Sequence, residues 1–333
     1  MSVLTRPAVL LASAAVAASL LAAPGAAYAA DGTTELTAAQ MKAALEEVSA
    51  ASDSAAAEGW RSAAEYRFAL SGDVVEYHET ITGDRTHGWL SVVFTADGGG
   101  TSNLFLDEGA GAYHWVSDPR EKAALKMMGR TPVKYAFVAD KTVDLDDYAP
   151  APLGDLAEGD FVPGTKTTHD DGSADYAFTE AEGAAIALHV NAASVLTGID
   201  VTVTEDDGTG SLSLDYSYGP QSVTLPTAGQ TIDYRTLATG VAYLDMPATV
   251  QQAAKAGAAN TRKAAKGRKV KVSTLRKVVR VDVSTANSKA GVNMVKVKNV
   301  TSGVNVYAVN PWTKKTVKYS VKASGKKVVV KKR

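Results

Sequence analysis

The segment SLSLDYSYGPQSVTLP, Ser211–Pro226, alternates without a break. Leu212, Leu214, Tyr216 and Tyr218 fall on one side, and Ser211, Ser213, Asp215 and Ser217 on the other. A period of two is that of a half-buried strand. Gly219-Pro220 then turns the chain, and a second short run ends at Pro226. The tyrosine-rich side is either core or the wall of a binding site.

The same alternation recurs upstream. Tyr66, Phe68 and Leu70 share a side, followed by Val75 and Tyr77, then Leu90, Val92 and Phe94. Leu104 and Leu106 come next, then Tyr113 and Trp115, with turn pairs Gly72-Asp73, Gly83-Asp84 and Asp97-Gly98 between runs. These read as five consecutive antiparallel strands, each wet on one face. Further runs follow at Tyr176 and Phe178, at Ile186, Leu188 and Val190, and at Ile199, Val201 and Val203. Asp207-Gly208 turns the last of them into the quoted segment.

Two helices are signalled among these strands. Thr37 and Gln40 have capping-box spacing, and Met41, Ala44, Leu45 and Val48 make a stripe at helical intervals. That helix is expected to fray in the Ala/Ser run before Gly59. Asp118 caps a second helix, with Pro119 in its first turn, Glu121 completing a box and Gly129 as the stop. Ala124, Leu125 and Met128 face inward. Pro132 to about Ala139 reads as short helix or irregular chain, and Asp144–Gly164 as a long connection. The fold class is α+β: a curved antiparallel sheet of about ten strands covered by two or three helices.

The chain of 333 residues has length for two domains. Arg6, the apolar run Ala8–Ala23, Pro24-Gly25 and Ala27-Tyr28-Ala29 predict a signal peptide over residues 1–29, with a retained anchor as the other reading. The mature protein is then secreted and cell-surface associated, with no transmembrane helix. The absence of cysteine excludes disulfides, thiolate metal sites, cysteine nucleophiles and a lipidated cysteine. The net charge of −1 conceals a split: residues 30–250 carry 12 Lys/Arg against 35 Asp/Glu, and residues 251–333 carry 22 against one, Asp282. Two parts of such opposite charge predict separate domains. The first is an acidic sheet-and-helix domain over residues 30–246. Residues 247–268, rich in Ala, Lys, Gly and Gln, read as a linker, helical in part. The valine-rich runs VKVST, VVRVDVS, VNMVKVKN, VNVYAV, TVKYSVK and KVVVKK predict a small basic all-β domain over residues 269–333.

No catalytic motif stands out. His78, His87, His114, His169 and His189 have neither HExxH nor i, i+4 spacing, and His78 and His87 flank a turn. No G-x-S-x-G or P-loop occurs. DDGSAD (Asp170–Asp175) and DDGTG (Asp206–Gly210) lack the bidentate glutamate of an EF-hand and read as hairpin turns. DLDDY (Asp144–Tyr148) reads as a solvated carboxylate cluster without a visible partner. The expectation is a protein that is not an enzyme and uses no metal and no cofactor.

The close of the last strand, with Tyr218, Gly219, Val223, Leu225 and Pro226, resembles that of LolA/LppX/LprG-like proteins. The likeness in layout runs from about Leu36 to Pro226. It implies a half-barrel with helices as a lid and a cavity between them holding the acyl chain of a lipid or lipoprotein. The ligand-lining residues implied are Phe68, Leu70, Leu90, Val92, Tyr113, Trp115, Leu125, Met128, Ile186, Leu188, Leu212, Leu214, Tyr216 and Tyr218. Each has plain core as its other reading, and the four with polar ring atoms, Tyr113, Trp115, Tyr216 and Tyr218, favour a cavity. The basic domain lies outside the family pattern.

The C-terminal charge calls for anionic company. Lys271, Lys296, Lys298, Lys318 and Lys322 are the residues expected to meet an anionic wall polymer or membrane surface. Docking on the chain's own acidic domain is the other reading. Nucleic acid is poorly served, since Tyr307, Trp312 and Tyr319 are the only aromatics there. Two functions follow: an acyl-chain carrier or sensor held at the surface by the basic module, or a structural or adhesive surface protein with a solid core. The sequence names neither ligand nor oligomeric state.

Overall fold

The computed structural model describes residues 32–70, 73–96, 99–150, 161–180, 183–205 and 208–333. The expected leader, residues 1–29, lies outside them, as do Gly72, Asp97, Gly98 and Asp207 of the expected turns. The elements begin with β1 (Thr33–Leu36), α1 (Ala38–Ala55), β2 (Trp60–Leu70), β3 (Asp73–Asp84), β4 (Trp89–Ala96), β5 (Thr101–Asp107) and β6 (Gly111–Trp115). Next come α2 (Pro119–Met128), β7 (Tyr135–Ala139), β8 (Gly164–Thr168), β9 (Ala174–Thr179), β10 (Ala185–Val190), β11 (Leu196–Glu205) and β12 (Gly208–Tyr218). Then follow β13 (Thr231–Asp233), α3 (Tyr234–Leu244), α4 (Met246–Ala265) and α5 (Val272–Ala290). The last strands are β14 (Lys296–Val300), β15 (Gly303–Val309), β16 (Thr316–Ser324) and β17 (Lys327–Lys332).

One sheet has thirteen strands in the order β1-β8-β9-β10-β11-β12-β2-β3-β4-β5-β6-β7-β13, and a separate antiparallel sheet has the order β14-β15-β16-β17. The larger sheet is mixed, because β7 and β13 pair in parallel. It exceeds the expected ten strands. Short polar strands such as β1 (TTEL) and β8 (GTKTT) have no alternating apolar signature to reveal them. The chain folds as two compact units, Met1–Ala112 with Ala139–Leu225, and Tyr113–Val138 with Pro226–Arg333.

In the first unit, α1 starts at the expected capping box: Gln40 N–H donates to the Thr37 hydroxyl and Thr37 N–H to Gln40 Oε1. The helix does not fray early but runs to Ala55, because Ser52 is buried and fully bonded. Its hydroxyl donates to the Val48 carbonyl at 2.7 Å and accepts from Leu196 N–H at 3.0 Å. Met41, Leu45 and Val48 pack on Tyr176, Phe178, Ile186, Leu188 and Leu196.

A second core in this unit gathers Ala56, Trp60, Leu90, Leu106, Ala112 and Leu145. Gly83-Asp84, expected as a turn, lies inside β3 and serves this core instead. Gly83 stands opposite Trp60 in the strand register, and a Cβ there would meet the indole at 2.5 Å. The cluster at Asp144–Tyr148 does have a partner, since Arg85 pairs with Asp146. The Arg85 guanidinium also lies over the Trp60 ring, 4.8 Å from its centroid.

In the second unit, Asp118 caps α2 by accepting from Arg120 and Glu121 N–H, and Gly129 ends it at φ 72. Of the stretch 132–139, expected as short helix or irregular chain, Tyr135–Ala139 form β7, with Tyr135 and Ala136 buried. Val116, Ala124, Leu125, Val133, Ala136, Ile232 and Leu237 share one small core. Residues 247–268, expected as a linker, lie almost wholly within α4, whose Val250, Ala253, Ala254, Gly257, Ala258 and Thr261 are buried. These side chains are small because the helices sit close: a Cβ at Gly257 would lie 2.8 Å from Val279 Cγ2. VKVST and VVRVDVS, expected as strands, belong almost entirely to α5. Leu275, Val279 and Val283 recur every fourth residue on its buried face. The C-terminal module is thus a four-stranded sheet with α4 and α5 packed on one face over Val304, Val306, Ala308, Tyr319 and Val321.

Candidate functional site

The inner face of β12, β2, β3, β4 and β5 answers the question posed by the tyrosine-rich strand. Register aligns its side chains in cross-strand rows. Tyr218, Trp60, Gly83, Leu90 and Leu106 form the first row, and Tyr216, Ser62, Ile81, Val92 and Leu104 the second. Leu214, Ala64, Glu79 and Phe94 form the third, Leu212, Tyr66 and Tyr77 the fourth, and Gly210, Phe68 and Val75 the fifth.

Burial is deepest in the first row, at Trp60, Leu90 and Leu106, and least at Val75 in the fifth. Trp60, Leu90 and Leu106 are sealed at 0%, 0% and 4% exposure. Tyr216, Ile81, Val92, Leu104, Leu214, Phe94, Tyr66, Tyr77, Leu212 and Phe68 are half-buried, and Val75 reaches 41%. The face therefore has a closed floor and an open end. At that end the aromatic rings touch one another: Phe68 meets Tyr77 edge-on at 6.4 Å, and Tyr77 stacks on Phe94 at 5.4 Å. Offset and edge contacts of this kind hold a ring surface in place without covering it.

One carboxyl interrupts the apolar rows. Glu79 sits between Ala64 and Phe94, and no hydrogen bond or ion pair ties it to another described residue. Burial pushes its carboxyl above the usual range. Burial first, and then the Glu79 charge, push the Tyr66 hydroxyl up to about 12. Burial likewise raises Tyr216, with the hydroxyls of Tyr218 and Tyr66 adding to the effect. Tyr218 is held differently: its hydroxyl donates to the Leu196 carbonyl at 2.7 Å.

The residues expected to line a ligand site separate into groups. Phe68, Val92, Leu212, Leu214, Tyr216 and Tyr218 share the face just described, and Leu70 holds its next register position opposite Gly208. Leu90 belongs to the closed floor. Ile186 and Leu188 are buried beneath α1. Tyr113, Trp115, Leu125 and Met128 lie in the other unit. There Tyr113 packs on Phe137 at 4.8 Å, Trp115 on Tyr135 at 5.3 Å, and Leu125 is buried in the core that Met128 borders. Glu79 was not among the expected residues. Its signal is legible in retrospect: within Val75-Tyr77-Glu79-Ile81 it is the one charge at an inward position.

The opposite face of the sheet carries a polar chain. Asp175 takes His189 Nδ1 at 2.7 Å and His169 Nε2 at 2.9 Å, while His189 Nε2 meets Asp200 at 3.0 Å. DDGSAD is a hairpin turn, with Asp171 accepting from Ser173 N–H. His78 and His87 are not brought together: His78 lies opposite Thr95, and His87 bonds Asp84. Among the described residues no group of three or more His, Asp or Glu is placed to hold a metal ion. Among the same residues no helix is long and apolar enough to cross a membrane.

The basic residues also separate. Lys296 and Lys298 on β14 and Lys318 and Lys322 on β16 alternate with the buried valines and Tyr319, so they share the face turned away from α4 and α5. Lys271 stands apart as the N-cap residue of α5.

No family model and no curated protein matches the chain. Several solved structures are similar in part, three of them as follows. An uncharacterized conserved protein from Thermus thermophilus is 10% identical with a TM-score of 0.30, over 56% of this chain and 98% of that one. The LolA superfamily protein NE2245 from Nitrosomonas europaea is 11% identical with a TM-score of 0.28, over 55% and 94%. A DUF1329 family protein from Desulfovibrio piger is 12% identical with a TM-score of 0.23, over 56% and 95%. This likeness to LolA- and DUF1329-like folds is weak and partial and assigns the chain to no family.

Proposed function

We propose that this chain is an exported, non-enzymatic carrier or sensor of acyl chains, held at the cell surface by its basic C-terminal module. The acyl chain lies along the half-buried rows of the inner sheet face, from Phe68 toward the Trp60 floor. The supporting observation is a contrast in burial: ten apolar side chains in register stay half-buried beside the sealed Trp60, Leu90 and Leu106. Three intervals of about 6.8 Å separate the Phe68 row from the Ser62 row, roughly 20 Å in all, the length of an extended fatty acyl chain. Burying a methylene stabilises by about 0.8 kcal/mol, so a sixteen-carbon tail offers roughly 12 kcal/mol before association and ordering costs. An apolar face needs no catalytic motif to do this. Glu79 supplies the one charged position along this path, two rows in from the Phe68 end and one row from Ser62.

The test is mass spectrometry of solvent extracts from full-length protein purified without detergent, combined with titration of a fluorescent fatty acid. Co-purifying lipid and saturable binding at one site per chain are expected. Empty extracts together with no saturable binding would overturn the proposal.

A further inference from the structure

The outer face of the C-terminal sheet is organised around a residue that charge counting does not reveal. Ser320 is 3% exposed, and its hydroxyl has no hydrogen-bond partner among the described residues. It lies on the face turned away from α4 and α5, since its neighbours Tyr319 and Val321 enter the core beneath. Register puts Lys298, Asn305, Ser320 and Lys331 in one cross-strand row. The row beside it reads Lys296, Tyr307, Lys318, and the row on its other side carries Lys322. A buried hydroxyl is ordinarily bonded, and one left unbonded among ammonium groups marks a place for an acceptor atom. Residues 283–333 contain no Asp or Glu to fill that role.

The geometry points to a binding site for a linear phosphodiester polymer without bases, laid across these rows with one phosphate oxygen accepting from Ser320. This names the partner of the basic module and rests on the reading above only for that module's role. Lys296 and Lys298 are about 7 Å apart along β14, Lys318 and Lys322 about 14 Å apart along β16 on either side of Ser320, and strands lie about 4.8 Å apart, so the cations surround Ser320 at spacings that a flexible chain of phosphates can follow. Lysine suits this ligand: its ammonium is a mobile point charge, where arginine would impose a fixed fork. Base stacking has little support, because Tyr307 is the one aromatic on this face. An anionic bilayer is disfavoured by the overall charge of −1, which gives the whole chain no net long-range attraction to a charged plane.

Binding of the full chain to synthetic poly(glycerol phosphate) tests this, alongside single-stranded poly(dT) and phosphatidylglycerol vesicles. Poly(glycerol phosphate) should bind tightest, with affinity falling steeply as salt rises. Replacing Lys298, Lys318, Lys322 and Lys331 together by Gln should weaken binding about 100-fold near 0.1 M salt and flatten the salt slope by about 3. Ser320→Ala removes a buried unbonded hydroxyl and should not lower the thermal unfolding temperature, while weakening binding about fivefold at an unaltered salt slope. Fatty-acid titration of the same samples should not change, which separates this site from the inner sheet face. Equal affinity in wild type and the lysine variant, no effect of Ser320→Ala, or tighter binding of poly(dT) or vesicles would each overturn the assignment.

Discussion

The Asp84 carboxylate accepts the backbone N–H of Val223 at 3.2 Å, which ties the middle of the first unit's sheet to the segment that follows its last long strand. Asp84 is buried, and it also takes His87 N–H at 3.2 Å and His87 Nδ1 at 2.8 Å. Burial opposes its charge, but the His87 side chain and the two backbone donors outweigh burial and hold the carboxyl below its usual range. Asp84→Ala leaves the buried Val223 N–H unbonded and should cost about 3 kcal/mol in urea unfolding. The pH dependence follows from the lowered value. The contribution is fully present above the unfolded carboxyl value of about 3.9 and disappears as pH falls through the folded one. Asp84→Asn should therefore lose the acid-dependent part of the wild-type unfolding curve. An unchanged acid limb in that variant would remove the role given to Asp84.

Gly83 and Trp60 make a second pair whose cost is calculable. The indole is fully buried, and a Cβ at Gly83 would stand 2.5 Å from it. The ring has no room to withdraw, since Leu90, Leu106 and Leu145 close the same core. Gly83→Ala should destabilise by about 2 kcal/mol, as overpacked cores do. Adding Trp60→Leu to that variant should cost less than Trp60→Leu costs alone, because the smaller side chain frees the space. Strict additivity in the double variant would mean that the two residues do not compete.

Helix contact in the C-terminal module gives a third. Gly257 is buried in α4 against Val279, whose β-branched side chain has one favoured rotamer in a helix. Gly257→Leu should cost at least about 2 kcal/mol despite the better helix propensity of leucine. A stability equal to wild type would show that residues 246–265 do not need this close approach.

Much of the first unit was legible because its strands alternate cleanly and α1 announces itself by Thr37 and Gln40. The C-terminal module was legible in its four strands, where VNMVKVKN, VNVYAV, TVKYSVK and KVVVKK lie, but not in its two helices, for two physical reasons. Val272, Val278, Val279, Val281 and Val283 have strand propensity, yet Leu275, Val279 and Val283 follow a four-residue interval, and burial of that stripe overrode propensity. In α4 the buried face is alanine, glycine and threonine, which composition alone reads as unanchored chain. The candidate face was half visible. Period two gave its apolar rows, but only register brings Glu79 between Ala64 and Phe94, and only burial separates the sealed Trp60 row from the open Phe68 row.

Glu79 carries an unusual stability signature. A carboxyl raised by burial is easier to protonate in the folded state, so its penalty is absent below the unfolded value of about 4.3 and grows as pH rises through the folded one. Glu79→Gln should therefore be more stable than wild type at neutral pH, by less than about 1 kcal/mol, and equal to it in acid. The same variant should keep fatty-acid binding, whereas Tyr77→Asp, which puts a charge among the aromatic rings, should weaken it at least about tenfold. Undiminished binding by Tyr77→Asp would remove the inner sheet face as the acyl site.

His189 behaves in the opposite sense. Both its ring nitrogens face carboxylates, Asp175 at 2.7 Å and Asp200 at 3.0 Å, and both can donate only in the imidazolium form. Burial lowers the imidazole, but hydrogen bonds and charge from Asp175 and Asp200 outweigh it and raise the group above its usual value. Asp175 is lowered in turn: burial opposes its charge, and the bonds from His189 and His169 overcome it. Stability from this chain is fully present below the unfolded histidine value of about 6.5 and is lost as pH rises through the folded value. The sites are partly exposed, so the change should not exceed about 1 kcal/mol after solvent screening. Urea unfolding of wild type between about pH 5.5 and 8.5 should show this decline, and His189→Gln should be nearly flat. An NMR titration of the His189 ring at or below the usual histidine value would contradict the paired geometry, because a ring held between two carboxylates must give up its proton late.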